Sequence, residues 1–546
     1  MELEINRLDH YGVVAGVIKD LKLVEQIDSL LGTHEQSEIS HGEAIAGMIL
    51  NGLGFTDRPI SLTPQFFENK PLDLLFRPGV CAEHFNRFKL SRSLDAVHLY
   101  GSNSLFGIVA ASACRQEKVD CRFSCEDTSS FSVTGEYLPD QDLHAINITH
   151  GYSKDHRPDL KQMVLELMVS QDGGVPLLMK SWSGNSDDNT IFQHRSKELI
   201  EAWKDLDAPR YLIMDSKGYN QKNAVNLKLL NFITRIPETN KPAKTTIQDA
   251  LNLDSWETWD ENRKYTCFEV EHHGIKQRWI VVFSDTALNR AETTVTKATA
   301  KEQVKIEKAL YHLQANRFTT EQDAQSALEE LSKSWKYHQV KTIEIEEHKK
   351  YLAKGRPAKD SPFEIEYQIK SQFEKNEQQI KQIIREKACF IVGSNISQPE
   401  LSALEVLQAY QGQDHVEKGF GFLKSSLCFA SSFFLEKPSR IEGLIMVMTL
   451  SLLIYTIAQR RLRAALKYLD ETIPNQIKQP IQRPTMRWVF QILEGINRVV
   501  IRDGTQIKVM LEGLNGLRRK ILSLLGNSVA KIYQIVPRFQ ECCIKG

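Results

Sequence analysis

Residues 121–133 read CRFSCEDTSSFSV, an apolar strand pattern that ends in the carboxylate of Asp127. A second short apolar stretch, YLIMDSKGYN at 211–220, ends in Asp215. A charged residue at the carboxyl edge of a buried strand is where a site is commonly built. Because a desolvated carboxylate is costly unless a cation or a donor compensates it, we predict that metal ions lie beside these two aspartates.

The segments between these two strands predict an α/β architecture with a mixed sheet. AINITHGYS at 145–153 resembles a strand, and Asp172-Gly173-Gly174 separates MVLELMVS from VPLLM, which indicates a hairpin. SDDNTIFQHRSKELIEAWK then predicts a helix before the Asp215 strand. The resulting order, strand, strand, strand, helix, strand, favours an α/β fold.

The chain of 546 residues exceeds what one hydrophobic core usually supports, so several domains are expected. We predict a helical N-terminal domain, an α/β core in two parts, an α+β insertion and a basic helical C-terminal region. Charged stretches at Glu302–Lys349 and Glu364–Lys387 predict helices in the insertion, and Ala82–Leu90 and Leu94–Ala113 predict helices in the N-terminal domain. The corresponding ranges are 1–115, 116–236 with 389–458, 237–388 and 459–546.

Composition is typical of a soluble globular protein, with 41% hydrophobic and 25% charged residues. The nine cysteines include no C-x-x-C pair, which favours a reducing cytosol over a disulfide framework. The longest apolar run, Gly443–Ala458, is shorter than the ~18–20 residues that span a bilayer, so a buried core helix is expected. We therefore expect a cytoplasmic protein without a membrane partner.

Charge is distributed unevenly although the formal net charge is zero. Residues 459–546 hold 16 Lys and Arg against six Asp and Glu, a net charge of +10. Such asymmetry predicts a polyanion-binding segment, in which Arg518, Arg519 and Lys520 contact DNA phosphates. The alternative is that these side chains cap helices or pair with acidic groups.

A third carboxylate, Glu417, lies in a predicted helix from Pro399 to Lys424. At 100° per residue, Tyr410, Gln413, Glu417 and Lys424 fall within a stripe about 60° wide. An apolar stripe that can pack on a sheet adjoins it. Because the polar stripe lies beside the apolar stripe that packs on the sheet, we predict that Glu417 reaches a site at the sheet.

These residues resemble a known family, the DDE transposases of bacterial insertion sequences. The similarity rests on Asp127 with the following TSSFSVTGEY, GYSKDHRPDLKQ at 151–162, GN-x-x-D at 184–188 and LIMDSKGYN. Tyr410, Glu417 and Lys424 match the Y-x2-R-x3-E-x6-K signature of one branch, in which Gln413 replaces the usual Arg. FNRFKLSRSLDAVHLYGSNSLFG at 85–107 also resembles the domain that precedes the core in one subgroup.

The resemblance implies an RNase H-like core in which Asp127, Asp215 and Glu417 hold two Mg²⁺ or Mn²⁺ ions. Two metals clamp an in-line phosphoryl displacement, first for cleavage at the element end and then for strand transfer into target DNA. The resemblance also implies that Tyr410, Gln413 and Lys424 touch DNA phosphates and that a homodimer assembles on the DNA ends. The helical N-terminal domain would then serve DNA-end binding or dimerisation.

Several alternatives remain open. Lys154 and Arg157 could bind phosphate or belong to a solvated hairpin. The rival functions are a non-catalytic DNA-binding protein derived from a transposase, and a metal-dependent nuclease that cuts without joining.

Overall fold

The structure, a computed structural model, describes residues 2–34, 36–55, 59–137, 145–202, 210–253, 255–352, 360–425, 435–503 and 506–539. The chain forms two compact units. The first comprises Met1–Thr234, His273–Ile275 and Glu405–Gly546, and the second comprises Arg235–His272 and Lys276–Leu404. The second unit overlaps the expected insertion at 237–388, and the division into five regions stays a prediction.

The N-terminal part of the first unit is a strand followed by seven helices. A capping box opens α3, since the side chains of Ser40 and Glu43 each accept from the other residue's backbone N–H. The elements are β1 (Glu2–Arg7), α1 (Tyr11–Asp20), α2 (Leu23–Leu31), α3 (His41–Gly52), α4 (Thr63–Phe67), α5 (Leu72–Leu75), α6 (Arg87–Tyr100) and α7 (Ser102–Gln116).

The central sheet of the first unit is mixed, as predicted. Its elements are β2 (Phe123–Val133), β3 (Lys161–Ser170), β4 (Pro176–Ser183), α8 (Asp188–Ala202), β5 (Tyr211–Met214), α9 (Ala224–Leu227) and β6 (Asn231–Arg235). The strand order is β4-β3-β2-β5-β6. β2 pairs antiparallel with β3 and parallel with β5. The hairpin at Gly173 and Gly174 is confirmed, and both glycines have the positive φ that such a turn requires.

In the second unit, four strands form the order β12-β9-β8-β7 and two long strands pair antiparallel as a separate ribbon. The elements are α10 (Lys241–Asn252), β7 (Glu257–Asp260), β8 (Arg263–His272), β9 (Ile275–Ser284), α11 (Asp285–Ala315), α12 (Glu321–Ser332), β10 (His338–Tyr351), β11 (Phe363–Lys375), α13 (Glu377–Lys387) and β12 (Cys389–Ser394). The ribbon packs on α11 and α12 around the buried Ile369, Ile306 and Leu328.

The last part of the chain carries helices and short strands. Its elements are α14 (Ala403–Gln411), α15 (Asp414–Leu423), α16 (Pro438–Tyr468), β13 (Ile473–Pro474), β14 (Pro480–Ile481), α17 (Met486–Leu493), β15 (Asn497–Asp503), β16 (Gln506–Glu512), α18 (Gly516–Ser523) and α19 (Asn527–Ile532). Among the described helices, α16 alone is long and apolar enough to cross a membrane by composition, but 89% of its apolar window is buried. It is the expected core helix, and it packs against α1, α3, α6 and α7.

Several predictions of secondary structure are wrong. The N- and C-terminal regions are not purely helical, because β1 pairs with β15 and β15 with β16. AINITHGYS forms only an isolated bridge between Thr149 and Gln162. Glu302–Lys349 and Glu364–Lys387 each contain a strand, β10 or β11, as well as helix. The predicted helix Leu94–Ala113 breaks at Gly101, which has a φ of +101°. Ala82–Leu90 is a 3-10 turn over Ala82–Phe85 followed by the start of α6.

Candidate active site

Asp127 and Asp215 lie together because β2 and β5 are parallel neighbours. Glu126 pairs with Met214 at the end of β5. Asp127 and Asp215 directly follow these two paired residues and are therefore neighbours in the sheet. Both line a small cavity of about 40 Å³. Two of the three carboxylates that the sequence predicted as metal ligands therefore lie in one cavity.

The environment of Asp127 opposes its charge. Burial is the largest effect, and with the nearby charges of Asp215 and Asp188 it raises the pKa of Asp127 to about 6. The Lys154 ammonium and the Thr128 N–H, which donates to Asp127 Oδ1 at 2.7 Å, act in the opposite direction. A carboxylate held in this way is stabilised by a cation that enters the cavity.

Asp215 is fixed by the turn that follows β5. It caps the 3-10 turn Ser216–Gly218, and its Oδ1 accepts from the Ser216 N–H at 2.6 Å. The local sequence DSKG thus orients the carboxylate at the strand end.

Asp188 is a third carboxylate of the cavity that the sequence analysis did not select as a site residue. Thr128 Oγ1 donates to its Oδ1 at 2.6 Å, and Lys154 Nζ and Lys217 Nζ lie 3.1 and 3.6 Å from its carboxylate. Burial opposes ionisation, but this hydrogen bond and these charges outweigh burial and lower the pKa of Asp188. The GN-x-x-D pattern at the start of α8 was the sequence feature that could have identified it.

Lys154 lies at the site, whereas Arg157 does not. Lys154 Nζ donates to the Thr128 carbonyl at 2.7 Å and to Thr128 Oγ1 at 2.6 Å. Arg157 is exposed and forms an ion pair with Asp159 at 2.7 Å. The two cations that the sequence grouped together therefore have different surroundings.

Glu417 lies on the helix α15, which packs on β2 and β3. Cys125 Sγ donates to the Gly412 carbonyl at 3.3 Å, and Lys424 Nζ lies 5.4 Å from the Phe131 ring centre. The helix therefore runs along β2 past Asp127. Glu417 lies between Gly412 and Lys424 in sequence, as Asp127 lies between Cys125 and Phe131, so both carboxylates belong to the stretch in which α15 packs on β2.

Packing of α15 on β2 does not bring the Glu417 side chain into the cavity. Glu417 is exposed and does not line the cavity of Asp127 and Asp215. In the described part of the chain, no group of three or more His, Cys, Asp or Glu side chains is arranged to hold a metal ion. Two of the predicted ligands are together, and the convergence of all three stays a prediction.

The predicted continuous helix Pro399–Lys424 is two helices, α14 and α15, so the prediction of one straight stripe is wrong. The chain tightens between them, since Gln413 N donates to Tyr410 O and His415 N donates to Gly412 O, three residues back in each case. Gln171 Nε2, from the β3–β4 turn, donates to the carbonyl of Gln408 at 3.1 Å. This contact terminates α14 and places Tyr410 and Gln413 on either side of the junction.

The remaining predicted DNA contacts are engaged within the protein. Lys424 pairs with Asp155 at 2.7 Å. Arg518 donates to the carbonyls of Ile492 at 2.8 Å, Gly513 at 2.5 Å and Glu494. Arg519 donates to Leu514 O at 3.3 Å, and Lys520 to Thr472 O at 3.0 Å and to Glu471. These contacts support the alternative in which Arg518, Arg519 and Lys520 join C-terminal segments.

Residues 3–111 match the family described as "Domain of unknown function (DUF4277)". No curated protein matches the chain. Among solved structures, a piggyBac transposase determined by cryo-EM as a synaptic complex with hairpin DNA is similar at 10% identity, over 90% of this chain and 83% of that chain. Its TM-score is 0.33, which is too low to establish a shared fold.

Proposed function

We propose that this chain is a metal-dependent DDE transposase that cleaves DNA at the ends of an insertion sequence and joins them to target DNA. The observation that carries the proposal is the pair Asp127 and Asp215 on adjacent parallel strands, in one cavity. The sequence pattern around the third carboxylate, Glu417, adds to it. The partners are element ends and target DNA, with two copies of the chain acting on the paired ends.

The donor set fits Mg²⁺ or Mn²⁺. Asp127 and Asp215 supply hard oxygen ligands, which these ions prefer. A divalent cation relieves the unfavourable burial and like-charge interaction that raise the pKa of Asp127. Two ions, when bound, activate the attacking oxygen and stabilise the leaving oxygen of an in-line phosphoryl displacement.

The residues of this chain would then divide the work of binding and positioning. Asp127 and Asp215 would hold the ions between β2 and the end of β5. Glu417, on the overlying helix, would complete the ligand set when α15 approaches β2 on DNA binding. Lys154 orients Thr128 and Asp188 at the floor of the site through the contacts described above.

Phosphate contacts would come from the same helix pair. Lys424 would exchange its ion pair with Asp155 for a DNA phosphate, and Tyr410 would donate from the end of α14. Gln413 supplies no charge where the resembling branch has Arg, so it would contribute hydrogen bonds only.

The test incubates the protein with its own flanking genomic ends and Mg²⁺ and maps the products on a sequencing gel. We expect 3′-hydroxyl cleavage products and joined products. Asp127→Asn, Asp215→Asn and Glu417→Gln should each abolish both products. Asp159→Asn, which removes an exposed carboxylate paired with Arg157, is the matched control and should retain activity.

Two results would replace the proposal. Cleavage without joined products would indicate a nuclease. Specific binding of the ends without any metal-dependent product, in wild type as in the three variants, would indicate a non-catalytic DNA-binding protein.

A further inference from the structure

A large groove lies on a different flank of α15 from Glu417. It has a volume of about 1030 Å³ and is bounded by α15, α16, the start of α17 and the β3–β4 turn. At 100° per residue, the groove-lining positions Asp414, Lys418 and Phe422 point roughly 60–140° away from Glu417. The groove is therefore separate from the carboxylate cavity.

The groove carries cations that the protein itself does not neutralise. Among the described residues, the Arg463 side chain donates to the Pro484 carbonyl alone, at 2.9 Å, and burial together with the charge of Arg483 lowers the pKa of Arg463. Arg483 and Arg487 are exposed, and in the described residues neither is paired with a carboxylate. Lys418 is the exception, since it pairs with Asp414 at 2.5 Å. This arrangement differs from the neighbouring Arg461, which is buried between Glu117 and Asp20.

Aromatic rings line the same groove. Phe422 and Tyr455 are 4.9 Å apart between ring centres, and Phe55 lies 6.4 Å from Phe422. The Arg487 guanidinium lies 5.7 Å from the Phe55 ring. Phe55 has a φ of +51°, a left-handed conformation that is strained for a residue with a side chain and is retained where surroundings or function require it.

Unpaired arginines beside partly exposed aromatic rings are the combination that binds single-stranded nucleic acid, through phosphates and stacked bases. We propose that this groove holds unpaired nucleotides of a DNA strand, with phosphates on Arg463, Arg483 and Arg487 and a base against Phe55. A folded acidic protein would interact with the arginines but would make no use of the aromatic rings. That the strand is DNA rests on the proposed function, but binding to the groove requires no catalysis.

The experiment measures binding of a fluorescein-labelled oligo-dT by anisotropy in EDTA, at several salt concentrations. Arg483→Gln with Arg487→Gln should lower affinity by roughly tenfold for each phosphate that loses its arginine. The slope of log affinity against log salt should fall by about 1.4, at 0.7 for each single-strand phosphate contact. Arg290→Gln with Lys297→Gln, exposed on α11, removes the same charge and should leave both quantities unchanged.

The contribution of the aromatic rings to binding is tested with the wild-type protein as well as with a variant. An abasic oligonucleotide should bind at least about fivefold more weakly than oligo-dT, because base stacking is absent, with the same salt slope. Phe55→Leu should weaken oligo-dT binding to a similar extent and leave abasic binding unchanged. This second comparison holds even if an Arg variant folds poorly.

Four results would overturn the proposal: equal salt slopes for the groove and α11 variants, equal affinity for dT and abasic strands, tighter binding of duplex than of single strand, or displacement by polyglutamate as readily as by oligo-dT. Because the assay contains no metal, its failure is distinct from failure of the cleavage test. Loss of groove binding with intact cleavage leaves the proposed function standing.

Discussion

Glu126 on β2 and Met214 on β5 pair directly in the parallel part of the sheet, and each is followed by an aspartate, Asp127 or Asp215. Backbone pairing therefore sets the positions of Asp127 and Asp215 before any ligand arrives. Glu417 depends on helix packing instead. This difference separates the contributions of the three carboxylates to metal binding.

We expect Mg²⁺ or Mn²⁺ to stabilise the DNA-free protein through Asp127 and Asp215, with little contribution from Glu417. A metal at 100 times its dissociation constant adds about 2.7 kcal/mol to the free energy of unfolding. Melting curves with and without metal should show the shift in wild type and in Glu417→Gln. The shift should be absent in Asp127→Asn and Asp215→Asn. An equal loss in Glu417→Gln would mean that α15 is already closed on the site without DNA.

Lys154 and Arg157 should differ in their effect on stability. Lys154→Met removes charged hydrogen bonds to Thr128 and an ion pair to Asp188, so a cost of about 1.5–3 kcal/mol in unfolding free energy is expected. Arg157→Met removes an exposed, solvent-screened pair with Asp159 and should leave the free energy of unfolding close to that of wild type. Urea unfolding of the two variants measures both. Similar costs would contradict the structural distinction between them.

The core strands could be predicted because their information is local. β5 is an apolar run that ends just before Asp215, and the β3–β4 turn is marked by two adjacent glycines. The prediction that a strand ends at Asp127 is wrong, because β2 continues to Val133. The pairing of β1 with β15 has no such marker, since Leu3 and Ile501 meet across almost the whole chain. The helix prediction for β10 failed because charge was given more weight than the alternation of Ile343 and Ile345 with glutamates.

The site was only partly predictable for a related reason. Asp215 is placed by a strand end, which sequence patterns locate well, whereas Asp127 lies within β2. Asp188 enters the site through Thr128 and Lys154, which are tertiary contacts. The junction of α14 and α15 depends on Gln171 from a distant turn, so a helical projection from sequence alone could not place Tyr410 relative to Glu417.

Two glycines of this region should respond oppositely to alanine. A Cβ on Gly412 would lie 2.7 Å from Gln171 Cγ, so Gly412→Ala should destabilise by about 1–3 kcal/mol. Gly421 has open space at the Cβ position within a helix, so Gly421→Ala should stabilise by about 0.5–1 kcal/mol. Thermal unfolding of both variants gives the signs. A stable Gly412→Ala protein would show that Gln171 moves away without cost.

His10 should make stability depend on pH. It is buried, its Nε2 donates to the Leu53 carbonyl at 2.9 Å, and burial lowers its pKa from 6.5 to about 4. The unfolded chain therefore binds the proton more tightly than the folded protein between pH 6.5 and 4. The stability from neutral His10, about 3 kcal/mol, is present above pH 6.5 and is lost as pH falls to 4. His10→Gln should remove this component from urea unfolding measured at pH 7 and pH 4.5, and an unchanged pH dependence would contradict it.

Arg518 provides the contrast to the groove arginines. Its guanidinium donates to carbonyls of Ile492 and Gly513 at 2.8 and 2.5 Å, which join the end of α17 to the start of α18. Arg518→Met leaves those carbonyls without their donor, so the free energy of unfolding should fall by about 1–3 kcal/mol. Since the guanidinium is already committed, the salt slope for oligo-dT binding should remain that of wild type, whereas it falls for Arg483→Gln with Arg487→Gln. Melting curves and salt titrations on the same preparations measure both quantities. A well-folded Arg518→Met protein with a reduced slope would return Arg518 to the DNA-binding surface and would show that its internal contacts are exchanged for phosphates.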